Sequence, residues 1–262
     1  MSAVIRNNVK ISGSGDRKMM FAHGYGCDQA MWRFVAPAFE DQFTVVKFDH
    51  VGAGGSVSSA FDHTKYATLQ GYADDIIEIG REIGLRGAVF VGHSVSAMIG
   101  ALASIKEPEM FESLVMVCPS PRYVNDAAYV GGFGQTDIEE LLGSLAENYL
   151  GWSTAMAPVI MANGDRPELS EELTDGFCRM DPKIAETFAR ATFTSDNRGD
   201  LPDVSVRTLV LQCKEDIIAA EQVGRYVADN VQNGHLVILD ATGHCPNLSA
   251  PNYVISAIGA FV

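Results

Sequence analysis

The sequence predicts an α/β protein with a mostly parallel central sheet, flanking helices and an inserted helical cap. Three observations carry this reading. Short, nearly continuous apolar runs rich in β-branched residues recur along the chain, as in strands buried on both faces. Helix-length segments separate most of them and supply the crossovers that parallel pairing requires. Between Cys118 and Thr208 the alternation stops, and helical patterns broken by Gly, Pro and Asn fill the interval.

In chain order, residues 4–11 are expected to add an antiparallel edge, and residues 17–22 (RKMMFA) form the first central strand. Residues 30–39 have the length of a crossover helix. A strand at 44–48 (TVVKF) precedes the amphipathic stretch 69–84 (LQGYADDIIEIGREIG). A strand at 88–91 (AVFV), a helix at 94–105 and a strand at 114–118 (LVMVC) follow. After the cap come strands at 208–213 (TLVLQC) and 235–239 (HLVIL), separated by a helix at 220–230, and a last helix near 252–261. Within the cap, about 136 to 193, Leu141, Leu142, Leu145, Tyr149 and Trp152 recur at helical spacing. Asp165-Arg166-Pro167 and Asp181-Pro182 punctuate helix starts. The organisation expected is a core at 1–120 and 197–262 with the cap inserted at 121–196.

Composition narrows the functional classes. The 262 residues, 47% hydrophobic, are enough for one sizeable core. Nineteen basic against 33 acidic residues leave a net charge of −14, which repels phosphate backbones and acidic membranes, so neither nucleic acid nor a membrane is expected as partner. Five scattered cysteines without CxxC or Cys/His zinc spacing predict neither a disulfide framework nor a metal site, and the chain reads as cytoplasmic. The opening MSAVIRNNVKISGSG lacks the apolar core of a signal peptide, and no run of about 18 apolar residues could span a bilayer. GHSVSA and VGAGGS contain neither GxGxxG nor a P-loop lysine, so no nucleotide cofactor is expected.

The chemistry is carried by VFVGHSVSAMIG, where the strand at 88–91 runs through Gly92-His93-Ser94-Val95-Ser96 directly into a helix. A strand-turn-helix of this kind projects its middle residue from the carboxyl edge of the sheet and needs small neighbours. Gly92 meets that need; Ser96 stands where GxSxG has its last glycine. A serine that merely caps a helix would also fit these five residues. A nucleophilic serine, in contrast, requires an imidazole to take its proton and a carboxylate to hold the imidazole's tautomer. His244, in ATGHCPNLS after the last strand, is the base in the right chain order, and the acid is Asp216 or Glu215 after TLVLQC, Asp216 being preferred. An oxyanion also needs donors, and the amides of Tyr25, in the HGYG that follows RKMMFA, and of Val95 are the natural pair.

In order along nearly the whole chain, HGYGCDQAMW, FDHVGAGGS, GHSVSAMIGALAS, SPRYVNDAAYVGGF, FTSDNR, LQCKEDIIA and GHCPNLSAP resemble the RsbQ type of bacterial stress-signalling hydrolase and its plant karrikin and strigolactone receptor relatives. Ser96 in the elbow resembles the plant receptors' own variant. The resemblance implies an α/β-hydrolase fold with a four-helix cap, a Ser94, Asp216 and His244 triad that resolves the choice against Glu215, and an oxyanion hole from Tyr25 and Val95. Tyr25 departs from the usual Phe and is expected to put a hydroxyl at the pocket mouth. The positions also resemble a cavity wall formed by Tyr25, Phe133, Leu141, Trp152, Met156, Phe193 and Ile217.

The expected activity is hydrolysis of a small hydrophobic ester or butenolide-like lactone by a monomer in a signalling or stress-response context. The resemblance implies a PAS-domain phosphatase-like partner on the bacterial side. A metabolic carboxylesterase, a ligand sensor with incidental hydrolysis, a cofactor-free haloperoxidase and a carbon–carbon hydrolase all use the same constellation.

Overall fold

The computed structural model describes residues 1–262. The chain runs through α1 (Ala3–Arg6), β1 (Lys10–Ser12), β2 (Arg17–Ala22), β3 (Phe43–Phe48), α2 (Leu69–Glu82), β4 (Ala88–His93), α3 (Val95–Lys106) and β5 (Phe111–Val117). Four helices follow without a strand between them: α4 (Gln135–Glu147), α5 (Tyr149–Met161), α6 (Pro167–Cys178) and α7 (Pro182–Phe193). The sheet then resumes with β6 (Arg207–Glu215), α8 (Glu221–Asn230), β7 (Gly234–Thr242), α9 (Pro246–Ser249) and α10 (Pro251–Phe261).

The seven strands lie in the order β1-β3-β2-β4-β5-β6-β7. All neighbours are parallel except β1, which pairs antiparallel with β3, with Ile11 opposite Val46. β4 is buried along its whole length, which is why AVFVGH shows no alternation. β7, at the sheet's edge, alternates between exposed and half-buried over its first five residues. The body and the four helices share one continuous apolar cluster, from Met19 and Val89 in the sheet to Leu142, Trp152 and Phe177 above it. No helix is long and apolar enough to cross a membrane.

Two sequence expectations change. The amino-terminal edge is shorter than residues 4–11, because residues 3–6 form a helical turn capped by Ser2. Arg6 at the end of that turn is anchored to Asp75 (2.9 Å) and Glu78 (2.6 Å) on α2. The helix expected over 30–39 is instead two 3₁₀ turns, Gln29–Trp32 and Ala36–Phe39. Pro37 restricts Ala36 before it and has no N–H to give a longer helix.

Candidate active site

β2, β4, β6 and β7 all deliver their following loops to the carboxyl edge of the sheet, and each loop brings one functional residue. At the end of β4, Ser94 adopts φ 56°, ψ −124°, a conformation costly for a residue with a Cβ. The neighbouring structure holds it there. Ser94 N–H donates to the Val117 carbonyl of β5 (2.8 Å), and its carbonyl accepts from Ala97 as α3 begins (2.9 Å). A Cβ on Gly92 would lie 2.5 Å from the Ser96 carbonyl oxygen, so strand and helix approach this closely only with glycine there.

The structure brings Ser94, His244 and Asp216 together, all nearly buried. Asp216 Oδ2 lies 2.7 Å from His244 Nδ1, and Ser94 Oγ lies 2.7 Å from His244 Nε2. An ionised carboxylate only accepts, so His244 carries its proton on Nδ1 and its bare Nε2 accepts from the serine. The other carboxylate oxygen of Asp216 accepts from the Ile218 (2.8 Å) and Ala219 (3.1 Å) amides. Burial would raise the Asp216 carboxyl, but His244 and these two amides overcome it and hold it below the usual range. Glu215, the other carboxylate considered, is exposed and accepts from Thr242 Oγ1 (3.3 Å).

Both faces of the His244 backbone are clamped. Its N–H donates to Ile160 O of α5 (3.0 Å), and its carbonyl accepts from His93 Nε2 (2.7 Å). Burial pushes the His93 imidazole down to about 3, so it is a neutral donor. A Cβ on Gly24 would sit 2.6 Å from His93 Nδ1 and 3.3 Å from Ser94 Cβ, so the loop after β2 passes beside the serine only with glycine there. The amides of Tyr25 and Val95 take no carbonyl within the chain.

The cavity at Ser94 is narrow, about 30 Å³, and mostly apolar. Of the expected wall, Tyr25, Trp152 and Phe193 line it. Four expected residues do not. Leu141 and Met156 line a separate outer groove of about 740 Å³ between α4 and α5, which meets the inner cavity at Trp152. Phe133 is half-buried against the core, outside the lining. Ile217 is 59% exposed, and Ile218 takes its place on the wall. The Tyr25 hydroxyl is also not at the mouth: it donates to Ala185 O of α7 (3.2 Å) within a buried cluster with Phe188, Phe177, Trp152 and Phe193.

Sequence reasoning missed Tyr123, His93 and Ile218 as wall residues. Burial holds the Tyr123 phenol above its ordinary range, opposed by its contact with Ser94. Position in the motif could have pointed to His93; Tyr123 reaches Ser94 only through the tertiary fold. For metal ligation, Cys118, Asp216 and His244 offer atoms within 4.8 Å of one another. That carboxylate and imidazole are already bonded together, and burial pushes the Cys118 thiol well above its ordinary value, against the thiolate a metal requires.

Residues 19–257 match the family described as "Alpha/beta hydrolase family". The chain belongs to that family. It is 40% identical over 254 residues to a karrikin insensitive 2 receptor of Petunia hybrida, covering 96% of this chain and 94% of the relative. A strigolactone esterase of Arabidopsis thaliana is 38% identical over 245 residues, with 93% and 91% covered. Among solved structures, a hydrolase from Oleispira antarctica superposes with a TM-score of 0.97 at 41% identity, over 99% of this chain and 95% of that one. This α/β hydrolase is thus similar over nearly its full length both to plant receptor and esterase proteins and to a bacterial hydrolase.

Proposed function

We propose that this hydrolase cleaves a small hydrophobic ester or butenolide-like lactone with Ser94 as nucleophile. The observation that carries the reading is the unbroken chain Ser94 Oγ, His244 Nε2, His244 Nδ1, Asp216 Oδ2, with both links at 2.7 Å. As Ser94 Oγ attacks the carbonyl carbon, its proton passes to His244 Nε2, and Asp216 stabilises the imidazolium without taking a proton. Negative charge collects on the carbonyl oxygen, to which the Tyr25 and Val95 amides donate. His244 returns the proton to the leaving alkoxide, an acyl-Ser94 remains, and water activated by His244 releases the acid.

The apolar wall supports an uncharged substrate, because a charged group there would lose water without gaining a partner. A volume of about 30 Å³ holds only one or two waters. Substrate binding therefore requires aromatic side chains of the cap to move. The similarity to a karrikin receptor and a strigolactone esterase supports a signalling role, in which cap movement reports a filled or acylated pocket to a protein partner such as a PAS-domain phosphatase.

The test pairs chemistry with recruitment. Wild type is expected to hydrolyse short-chain aryl esters and to be labelled by a serine-reactive phosphonate at Ser94, and Ser94→Ala to do neither. Label on another residue, or retained turnover in Ser94→Ala, would defeat the nucleophile. For signalling, ligand-dependent capture of a purified PAS-domain phosphatase is expected. Fast turnover of a common metabolite, with capture indifferent to ligand, would leave a metabolic esterase.

A further inference from the structure

Ser96 is fully buried, and its hydroxyl is doubly engaged. Its Oγ–H donates to the His23 carbonyl (2.5 Å), and the same oxygen lies 2.7 Å from His50 Nε2. With the serine proton spent on His23, the oxygen accepts, so His50 donates from Nε2 and has no proton on Nδ1. His50 Nδ1 is indeed a buried nitrogen without a partner. The His50 backbone N–H donates to His23 Nε2 (3.0 Å), which puts the His23 ring proton on Nδ1, 2.8 Å from the Gly24 carbonyl. Every proton in the circuit has one position. Burial holds His23 below and His50 well below the ordinary imidazole value, so both remain neutral.

The Gly24 carbonyl is the far end of the peptide whose nitrogen belongs to Tyr25. A trans peptide is planar, and its C=O and N–H point to opposite sides. Holding Gly24 O therefore fixes the line along which the Tyr25 N–H points. A donor to an oxyanion is effective only when aimed before the charge develops. We propose that Ser96 and His50 are positioning residues for the oxyanion hole: the His50 ring holds the Ser96 hydroxyl, Ser96 holds the His23 carbonyl, the His50 backbone N–H dictates the His23 tautomer, and His23 then holds the Gly24–Tyr25 peptide plane. Neither residue touches substrate. Ser96 is no second nucleophile, since its only proton is committed to a carbonyl in the buried interior. Glycine at 96 would keep strand and helix equally close but leave the His23 carbonyl and the His50 N–H without their partner.

The inference rests on the Ser94 reading, which wild-type labelling and Ser94→Ala test without any change at 96. The test here measures kcat and KM for an aryl acetate in Ser96→Ala, per active site counted by phosphonate burst. Losing a whole oxyanion donor costs about 10²- to 10³-fold in kcat, so misaiming one is expected to cost about 10-fold or more. KM should stay within about twofold, and the acid limb of the pH profile should not move, because the contacts of His244 are untouched. Ser96→Thr, which restores the hydroxyl, should recover most of the loss.

A second variant guards against misfolding. His50→Phe keeps the backbone N–H but removes the ring donor, and is expected to lower kcat with KM unchanged. Combined with Ser96→Ala it should cost no more than Ser96→Ala alone. Unchanged kcat per active site in Ser96→Ala, a shifted acid limb, or additive losses in the double variant would each overturn the proposal. If Ser96→Ala does not fold, His50→Phe decides alone, with unchanged kcat overturning it.

Discussion

At the scale of single residues, the loops after β4, β6 and β7 bring Ser94, Asp216 and His244 into one hydrogen-bonded row. Ser94 and His244 were legible because a strand-turn-helix and a loop after the last strand are local patterns. Asp216 was separable from Glu215 by resemblance, and the fold gives the physical reason. β6 extends to Glu215 and leaves its side chain exposed, while the turn beyond folds Asp216 inward onto the Ile218 and Ala219 amides. The same turn directs Ile217 outward and Ile218 to the cavity, an inversion no spacing rule foretells. The hydroxyl of Tyr25 was likewise illegible, since its partner Ala185 lies 160 residues away. Tyr25→Phe keeps the ring in its aromatic cluster and removes one hydrogen bond, so unfolding free energy should fall by about 1 kcal/mol. The backbone amide remains, and kcat should change by less than about threefold. Urea unfolding and aryl ester kinetics check both; a kcat loss of tens of fold would show that the hydroxyl aims the amide.

At the scale of elements, the cap helices explain why part of the expected pocket wall lies elsewhere. Ile138, Leu142 and Leu145 recur three or four residues apart and form the buried face of α4, whereas Leu141 falls one step aside and lines the outer groove. Met156 on α5 lines the same groove, but Trp152, one turn earlier, reaches both groove and inner cavity. The helical period was readable in the sequence; which face meets Ser94 depends on how α5 packs on α6, and that was not. Trp152 is the side chain common to about 30 Å³ inside and about 740 Å³ outside. Trp152→Ala should join the two spaces and raise kcat/KM for a long-chain ester relative to a short one by about tenfold, the scale of a few added methylenes in a pocket. Truncating a buried tryptophan should also cost about 3 to 5 kcal/mol of stability. An unchanged chain-length preference in the folded variant would show that Trp152 does not divide them.

At the scale of the whole molecule, the parallel sheet and its crossovers were legible because burial on both faces is written in composition. The net charge of −14 describes the surface and leaves the interior's proton balance unread. That interior contains three neutral imidazoles, His23, His50 and His93, each with its basicity lowered by burial, His93 to about 3. In the unfolded chain the same groups titrate near 6.5. As pH falls below that value, the unfolded state binds protons that the folded state refuses, so stability present above about pH 6.5 is lost on acidification. His93, with its folded value at about 3, removes about 1.4 kcal/mol per pH unit once the pH is well below 6.5. His93 alone should remove about 1.4 kcal/mol between pH 7.5 and 5.5, and His23 and His50 add loss in the same direction, against the roughly 5 to 15 kcal/mol available to a domain. The depressed carboxyl of Asp216 adds loss in the same direction, at lower pH, as pH falls through its folded value. Denaturant unfolding at pH 7.5, 6.5 and 5.5 measures this slope. His50→Asn removes one of the three groups and should flatten the loss over the interval, whatever its effect at neutral pH. Stability that is level from pH 7.5 to 5.5, or a slope unchanged by His50→Asn, would mean that these histidines take up protons within the folded protein, and the fixed tautomers assigned around Ser96 would fall with it.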